Sequence, residues 1–209
     1  PRLVDPSEGT GVYGADGVLF DQAGFWVVTV TAQIGGNRAG ATSAFEVLGR
    51  HQLPAFGDAA PRTVNLRAGD AGVNPKAVDS RAGPDGAVPD PALHRTTAAD
   101  AMAAGLPVLV VVATPVYCQS RFCGPITDAV EELANQYQGR LAGVHIEVWE
   151  DFEAGRVNPT AREWISPKDG SETREPWIYL VGRDGRVAAR WDNVATEEEM
   201  ATAVRRVVG

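Results

Sequence analysis

Apolar and polar positions fall into two regimes along this chain, separated by a stretch with neither periodicity. From residue 12 to 48 the pattern has the period of strands. Phe25-Trp-Val-Val-Thr-Val-Thr31 is rich in β-branched and aromatic residues, and successive side chains there point to opposite faces. Gly35-Gly36 is a hairpin turn signal, and Arg38 to Val47 supplies the returning strand. Residues 50–92 lose this order. They hold Pro54, Pro61, Pro75, Pro84, Pro89 and Pro91 with several glycines, a composition of extended, irregular backbone. Such a segment is either a loose tether or a strap laid over a domain, and the pattern leaves both open.

From residue 93 the periods alternate. Thr97 to Ala104 reads as a short helix capped by Thr97 and stopped by Gly105. Pro107 to Ala113 is a continuous apolar run, as in a strand covered on both faces. Pro125 to Tyr137 places Ile126, Val130, Leu133, Ala134 and Tyr137 on one helical face, with Pro125 in the first turn. Gly143 to Trp149 predicts a strand and Asn158 to Ile165 a short helix. Trp177–Gly182 and Arg186–Trp191 read as strands around the turn Arg183-Asp-Gly185. A last helix starts at the capping box Thr196-x-x-Glu199 and buries Met200, Val204, Val207 and Val208. The predicted order is β-α-β-α-β-β-α. No internal repeat or low-complexity tract interrupts it.

Charge narrows the partners. The formal net charge is −8, and an acidic surface repels phosphate backbones, so nucleic acid is not expected. No apolar run approaches the ~18 residues of a membrane span. The chain opens at Pro1, within what reads as loop and without a start methionine, as expected of a mature chain from which a targeting segment has been removed.

The 209 residues include two cysteines. Both follow the apolar strand and precede the amphipathic helix: Val108-Leu-Val-Val-Val112 … Tyr117-Cys118-Gln-Ser-Arg-Phe-Cys123-Gly-Pro125. Downstream lies Arg174-Glu-Pro176-Trp-Ile-Tyr-Leu-Val-Gly-Arg-Asp-Gly185, then the closing helix. With the element order, these features make residues 93–209 resemble the thioredoxin-like superfamily, and within it the extracytoplasmic thiol–disulfide branch. The resemblance implies an α/β domain with a central mixed sheet flanked by helices, and a cis-proline at Pro176 beside the cysteines. Ahead of it lie the linker 50–92 and a β-rich segment, 1–49. In that segment Phe20-Asp-Gln-Ala-Gly-Phe-Trp26 resembles the late strands of immunoglobulin-like sandwiches, although the segment is too short for a complete one.

Two departures from the family pattern bear on function. Four residues separate the cysteines where the family has two, and Val112 stands where many thioredoxins keep a buried acid. Tyr117 replaces the usual tryptophan. A cysteine at a helix N-terminus gains from free amides and the helix dipole, which favour thiolate, and Arg121 adds positive charge.

The expected chemistry is a reversible Cys118–Cys123 disulfide, with Cys118 attacking and Cys123 resolving. Tyr117, Glu175, Pro176 and Trp177 are the candidate substrate-binding residues, and Glu175 is a candidate proton carrier near the sulfurs. The expected partner is a protein thiol or disulfide outside the cytoplasm, with no cofactor and no metal. One alternative is a non-catalytic binding module pinned by a structural disulfide. A third reading is copper handling, but the histidine of the copper-delivery branch falls near Arg174 here. His145 reads as a core histidine, and no metal-ligand cluster, phosphate loop or Ser/His/Asp constellation stands out.

Overall fold

A computed structural model describes residues 2–5, 12–15 and 17–209; the opening Pro1 lies outside them. The chain divides after His51 into two units.

In the first unit, β1 (Arg2–Asp5) pairs with β2 (Val12–Gly14), and β3 (Gly24–Ile34) with β4 (Asn37–Val47), both antiparallel. The β3–β4 turn is Gly35-Gly36, with φ of 54° and 86°. A two-residue turn of this kind needs positive φ at both positions, which glycine adopts without penalty. Trp26 faces Phe45 across the ribbon, and Phe20 packs edge-on against both rings. Phe25, Val27 and Val30 are exposed. Among the described residues the unit has two such ribbons and not a sandwich.

The second unit, residues 52–209, is built on a four-stranded mixed sheet. Its strands are β5 (Val108–Ala113), β6 (Ala142–Glu147), β9 (Trp177–Val181) and β10 (Val187–Asp192). β5 runs parallel to β6 and antiparallel to β9, and β9 antiparallel to β10. The helices are α1 (Pro75–Val78), α2 (Ala98–Ala103), α3 (Cys123–Gln136), α4 (Pro159–Ile165) and α5 (Glu197–Val208).

β5 sits at the centre and every residue of it is buried. Its alternation explains the two layers. Val108, Val110 and Val112 face α2 and α4 with Trp164, Ile165 and Tyr179, while Leu109, Val111 and Ala113 face α3 and α5. Strand order and helix placement are those of the thioredoxin-like fold. The capping box of α5 forms in both directions. α3 starts two residues before Pro125, which still lies in the first turn, where an amide donor is dispensable.

Residues 52–93 are laid over this domain. The Gly57 amide donates to the Val187 carbonyl, the Val187 amide to Asp58, and the Ala60 amide to Gly185. Buried Thr63 donates to Glu163 and accepts from the Trp164 indole at 2.8 Å. Asn65 accepts from the Ala98 amide, and Leu93 enters the core beneath α3. The prolines that defeat periodicity allow an extended course in which side chains and isolated amides make the contacts. The predicted strand 143–149 also divides. β6 ends at Glu147, and Trp149–Asp151 (β7) turns away to pair with Arg156–Val157 (β8).

Candidate functional site

Cys118 and Cys123 are joined as a disulfide, with their Cα atoms 6.4 Å apart. The apolar run of β5 carries the chain to the mouth of the site. There the Cys118 amide donates to the Thr114 carbonyl at 3.0 Å. α3 then begins at Cys123, which is buried, while Cys118 is partly exposed. The intervening loop is pinned from outside. Ser120 Oγ donates to Asn193 Oδ1 at 2.7 Å and accepts from the Phe122 amide. Asn193 adopts φ 61°, and its amide donates to the Pro176 carbonyl. The Arg121 guanidinium lies over the Phe122 ring, 5.0 Å from its centroid.

The Glu175–Pro176 peptide is cis. Glu175 precedes β9, which pairs with β5, and this pairing brings its carboxylate to the end of β5. The Thr114 amide donates to Glu175 Oε2 at 2.7 Å. A Glu175 oxygen and both sulfurs lie within 4.8 Å of one another. Burial pushes the Glu175 carboxyl up to about 7, and the nearby Glu147 carboxylate adds to this; the Thr114 amide and His145 act the other way.

A polar chain continues inward. Thr114 Oγ1 donates to Ser80 Oγ at 3.4 Å, the Val116 amide donates to the same oxygen, and the Ser80 amide donates to Glu147 Oε2 at 2.8 Å. Glu147 also accepts from the Trp149 amide. It is buried, and desolvation holds its carboxyl above the usual range.

Beside the disulfide loop opens a cleft of about 730 Å³, bordered by Tyr117, Ser120, Phe152, Arg174, Glu175 and Asn193 among others. Tyr117 stacks on Phe152 at 4.0 Å, and Trp149 meets Phe152 edge-on.

Of the predicted site residues, Cys118, Cys123 and Glu175 converge, and Tyr117 and Glu175 line the cleft. Pro176 is buried one residue further on. Trp177 lies elsewhere: its ring stacks on Tyr179 and carries the Arg190 guanidinium, because its place in β9 turns it to the α2–α4 layer. Thr114, Ser80, Glu147, Phe152 and Asn193 escaped sequence reasoning. Glu147 had a signal, an acid within an apolar strand; Ser80, in the proline-rich stretch, had none.

No protein-family model matches this chain, and no curated protein matches it. Among solved structures it is similar to one described as "Crystal structure of Trgpx in apo form", at 16% identity over 50% of this chain and 81% of that chain, with a TM-score of 0.33. So loose an overlap carries nothing about function, and the fold stands on the strand order and helix placement given above.

Proposed function

We propose that this protein is a thiol–disulfide oxidoreductase of the extracytoplasmic branch, working through Cys118 and Cys123 on protein substrates. The observation that carries this reading is the Glu175 carboxyl beside both sulfurs, raised to about 7. A group titrating near neutrality is suited to move a proton in either direction. Glu175 thus supplies, from the opposite strand, the acid that Val112 does not.

In the reducing direction the Cys118 thiolate attacks a substrate disulfide. One substrate sulfur leaves as thiolate and takes a proton from solvent, and a mixed disulfide forms. The Glu175 carboxylate then accepts the proton of the Cys123 thiol. The Cys123 thiolate attacks Cys118 Sγ, the mixed disulfide breaks, and the second substrate thiolate leaves and takes the proton back from Glu175. Two electrons pass to the substrate, and the Cys118–Cys123 disulfide is restored. Oxidation of a substrate dithiol is the same path reversed. The partial exposure of Cys118 and full burial of Cys123 support this division of roles. The cleft beside the loop, with its Tyr117–Phe152 wall, suits an extended segment of the substrate.

Insulin reduction with dithiothreitol tests the activity. The wild type is expected to accelerate precipitation, and Cys118→Ser to remain at background; equal background rates for both remove the proposal.

A second reading is a binding module with a permanent disulfide, favoured by the complete burial of Cys123. The copper reading gains no support, because the acid at the sulfurs is Glu175 and the core histidines converge elsewhere. Among the described residues no helix is long and apolar enough to cross a membrane. The extracytoplasmic setting follows from the resemblance and agrees with the disulfide.

A further inference from the structure

His94 and His145 come from distant parts of the chain and meet under the sheet. His94 follows the short 3₁₀ turn Pro91–Leu93 and His145 lies in mid-β6. Their rings stand 5.3 Å apart at 68°, and both side chains are fully buried. Between them is Asp79, just after α1 and equally buried. His94 Nε2 is 3.4 Å from Asp79 Oδ2, and His145 Nδ1 is 3.3 Å from the same oxygen.

We propose that Asp79, His94 and His145 form a buried site for one divalent transition-metal ion of the zinc class. Four observations carry this. First, the spacing suits coordination better than hydrogen bonding. Nitrogen–oxygen hydrogen bonds cluster at ~2.9–3.0 Å. Ligands of a tetrahedral ion bonded at ~2.0–2.1 Å lie about 3.4 Å from one another. Second, neither ring nitrogen of His94 has a hydrogen-bond partner, and neither has His145 Nδ1. Buried polar atoms without partners are rare, and the two that face Asp79, His94 Nε2 and His145 Nδ1, are those a bound ion would satisfy.

Third, His145 Nε2 is 3.0 Å from the Ala113 carbonyl, which can only accept, so that nitrogen carries the proton. In the neutral ring, Nδ1 then presents a lone pair toward Asp79, and a metal ion or a proton between them reconciles the two facing acceptors. A backbone carbonyl on the far ring nitrogen is the usual support of a metal-bound histidine. Fourth, Arg81 contacts the carboxylates of Asp79, Asp90 and Asp128. Asp128 lies at the exposed rim, while the buried Asp79 and nearly buried Asp90 exceed the one guanidinium in charge, an excess that a cation beside Asp79 offsets. Arg81 takes one lone pair of Asp79 Oδ2 and leaves another for the metal. Two imidazoles with one carboxylate are borderline donors suited to zinc, and three protein donors leave the fourth position to a small ligand such as water.

The competing arrangement is an imidazolium, a proton held by His145 in place of the metal. The two are separated by metal content. Tag-free, disulfide-oxidised protein is prepared with zinc in the growth medium and dialysed, so that free thiols do not bind the ion. The wild type is expected to retain about one equivalent of Zn²⁺ and His94→Gln less than about a tenth. Replacement by Co²⁺ should give the visible absorption of a tetrahedral ion in the wild type alone. In case His94→Gln does not fold, the chelator-stripped wild type offers a second test: Zn²⁺ should raise its melting temperature, and Mg²⁺ should not. The proposal is overturned if the wild type holds no zinc and its melting is indifferent to added Zn²⁺, or if a folded His94→Gln binds zinc as well as the wild type.

Discussion

Replacing Glu175 with glutamine removes an ionisable group and keeps the acceptor for the Thr114 amide, so it isolates the cost of holding a carboxylate beside the disulfide. The carboxyl is raised from 4.5 to about 7, chiefly by burial and further by Glu147. Between those values the folded state binds a proton that the unfolded chain has released. Stability due to this group is therefore complete below about pH 4.5 and lost as pH rises through about 7. The full shift is worth on the order of 3 kcal/mol, and partial exposure of Glu175 reduces this to about 2 kcal/mol. Urea denaturation of oxidised wild type and Glu175→Gln, at about pH 4 and about pH 8, reads the effect. The variant should gain about 2 kcal/mol on the wild type between the two pH values. Groups untouched by the substitution cancel, and Glu147, relieved of a neighbouring charge, shifts the result in the same direction. A stability difference independent of pH would refute both the raised carboxyl and its part in proton movement.

Gly143 on β6 lies under α3, and a Cβ there would stand 2.5 Å from Ala134 Cβ and 2.6 Å from Leu93 Cδ2; Gly143→Ala should destabilise by about 1–3 kcal/mol, and an unchanged urea midpoint would contradict this packing. Thr63→Val should cost about 1–3 kcal/mol, because it strands the buried Trp164 indole N–H and removes the bond to Glu163; wild-type stability would mean that the strap contributes little there. Cleaving the strap near Arg67 should loosen β10, whose start is held by Gly57, Asp58 and Ala60, and faster amide exchange at Val187 is the expected sign.

The sheet was legible in the sequence because its strands are buried and its helices amphipathic. β5 reads as an uninterrupted apolar run, and α5 announces itself by the Thr196–Glu199 box. The cysteine pair and Glu175 were legible for a different reason: each lies next to an element whose place in the fold was already set. Residues 52–93 were not decided by pattern. Their contacts are made one at a time, by Thr63, Asn65, Asp79 and Leu93, and single long-range contacts leave no period. The same cause hid the meeting of Asp79 and His94 with His145, and the approach of Ser80 to Thr114. Its place after Pro176 predicts Trp177 at the cleft, but β-strand alternation turns it to the other layer. The apolar run 143–149 passes the end of β6 and takes in Trp149 of β7, since such a run does not reveal where a strand leaves its sheet.

On the proposed function, Cys118 and Cys123 exchange electrons with partners rather than staple a loop to α3. The reduction potential of the pair, from equilibrium with glutathione or dithiothreitol buffers, tests it most directly. A redox-active pair should lie above about −300 mV; a value well below that, where structural bridges lie, rules out exchange with partners.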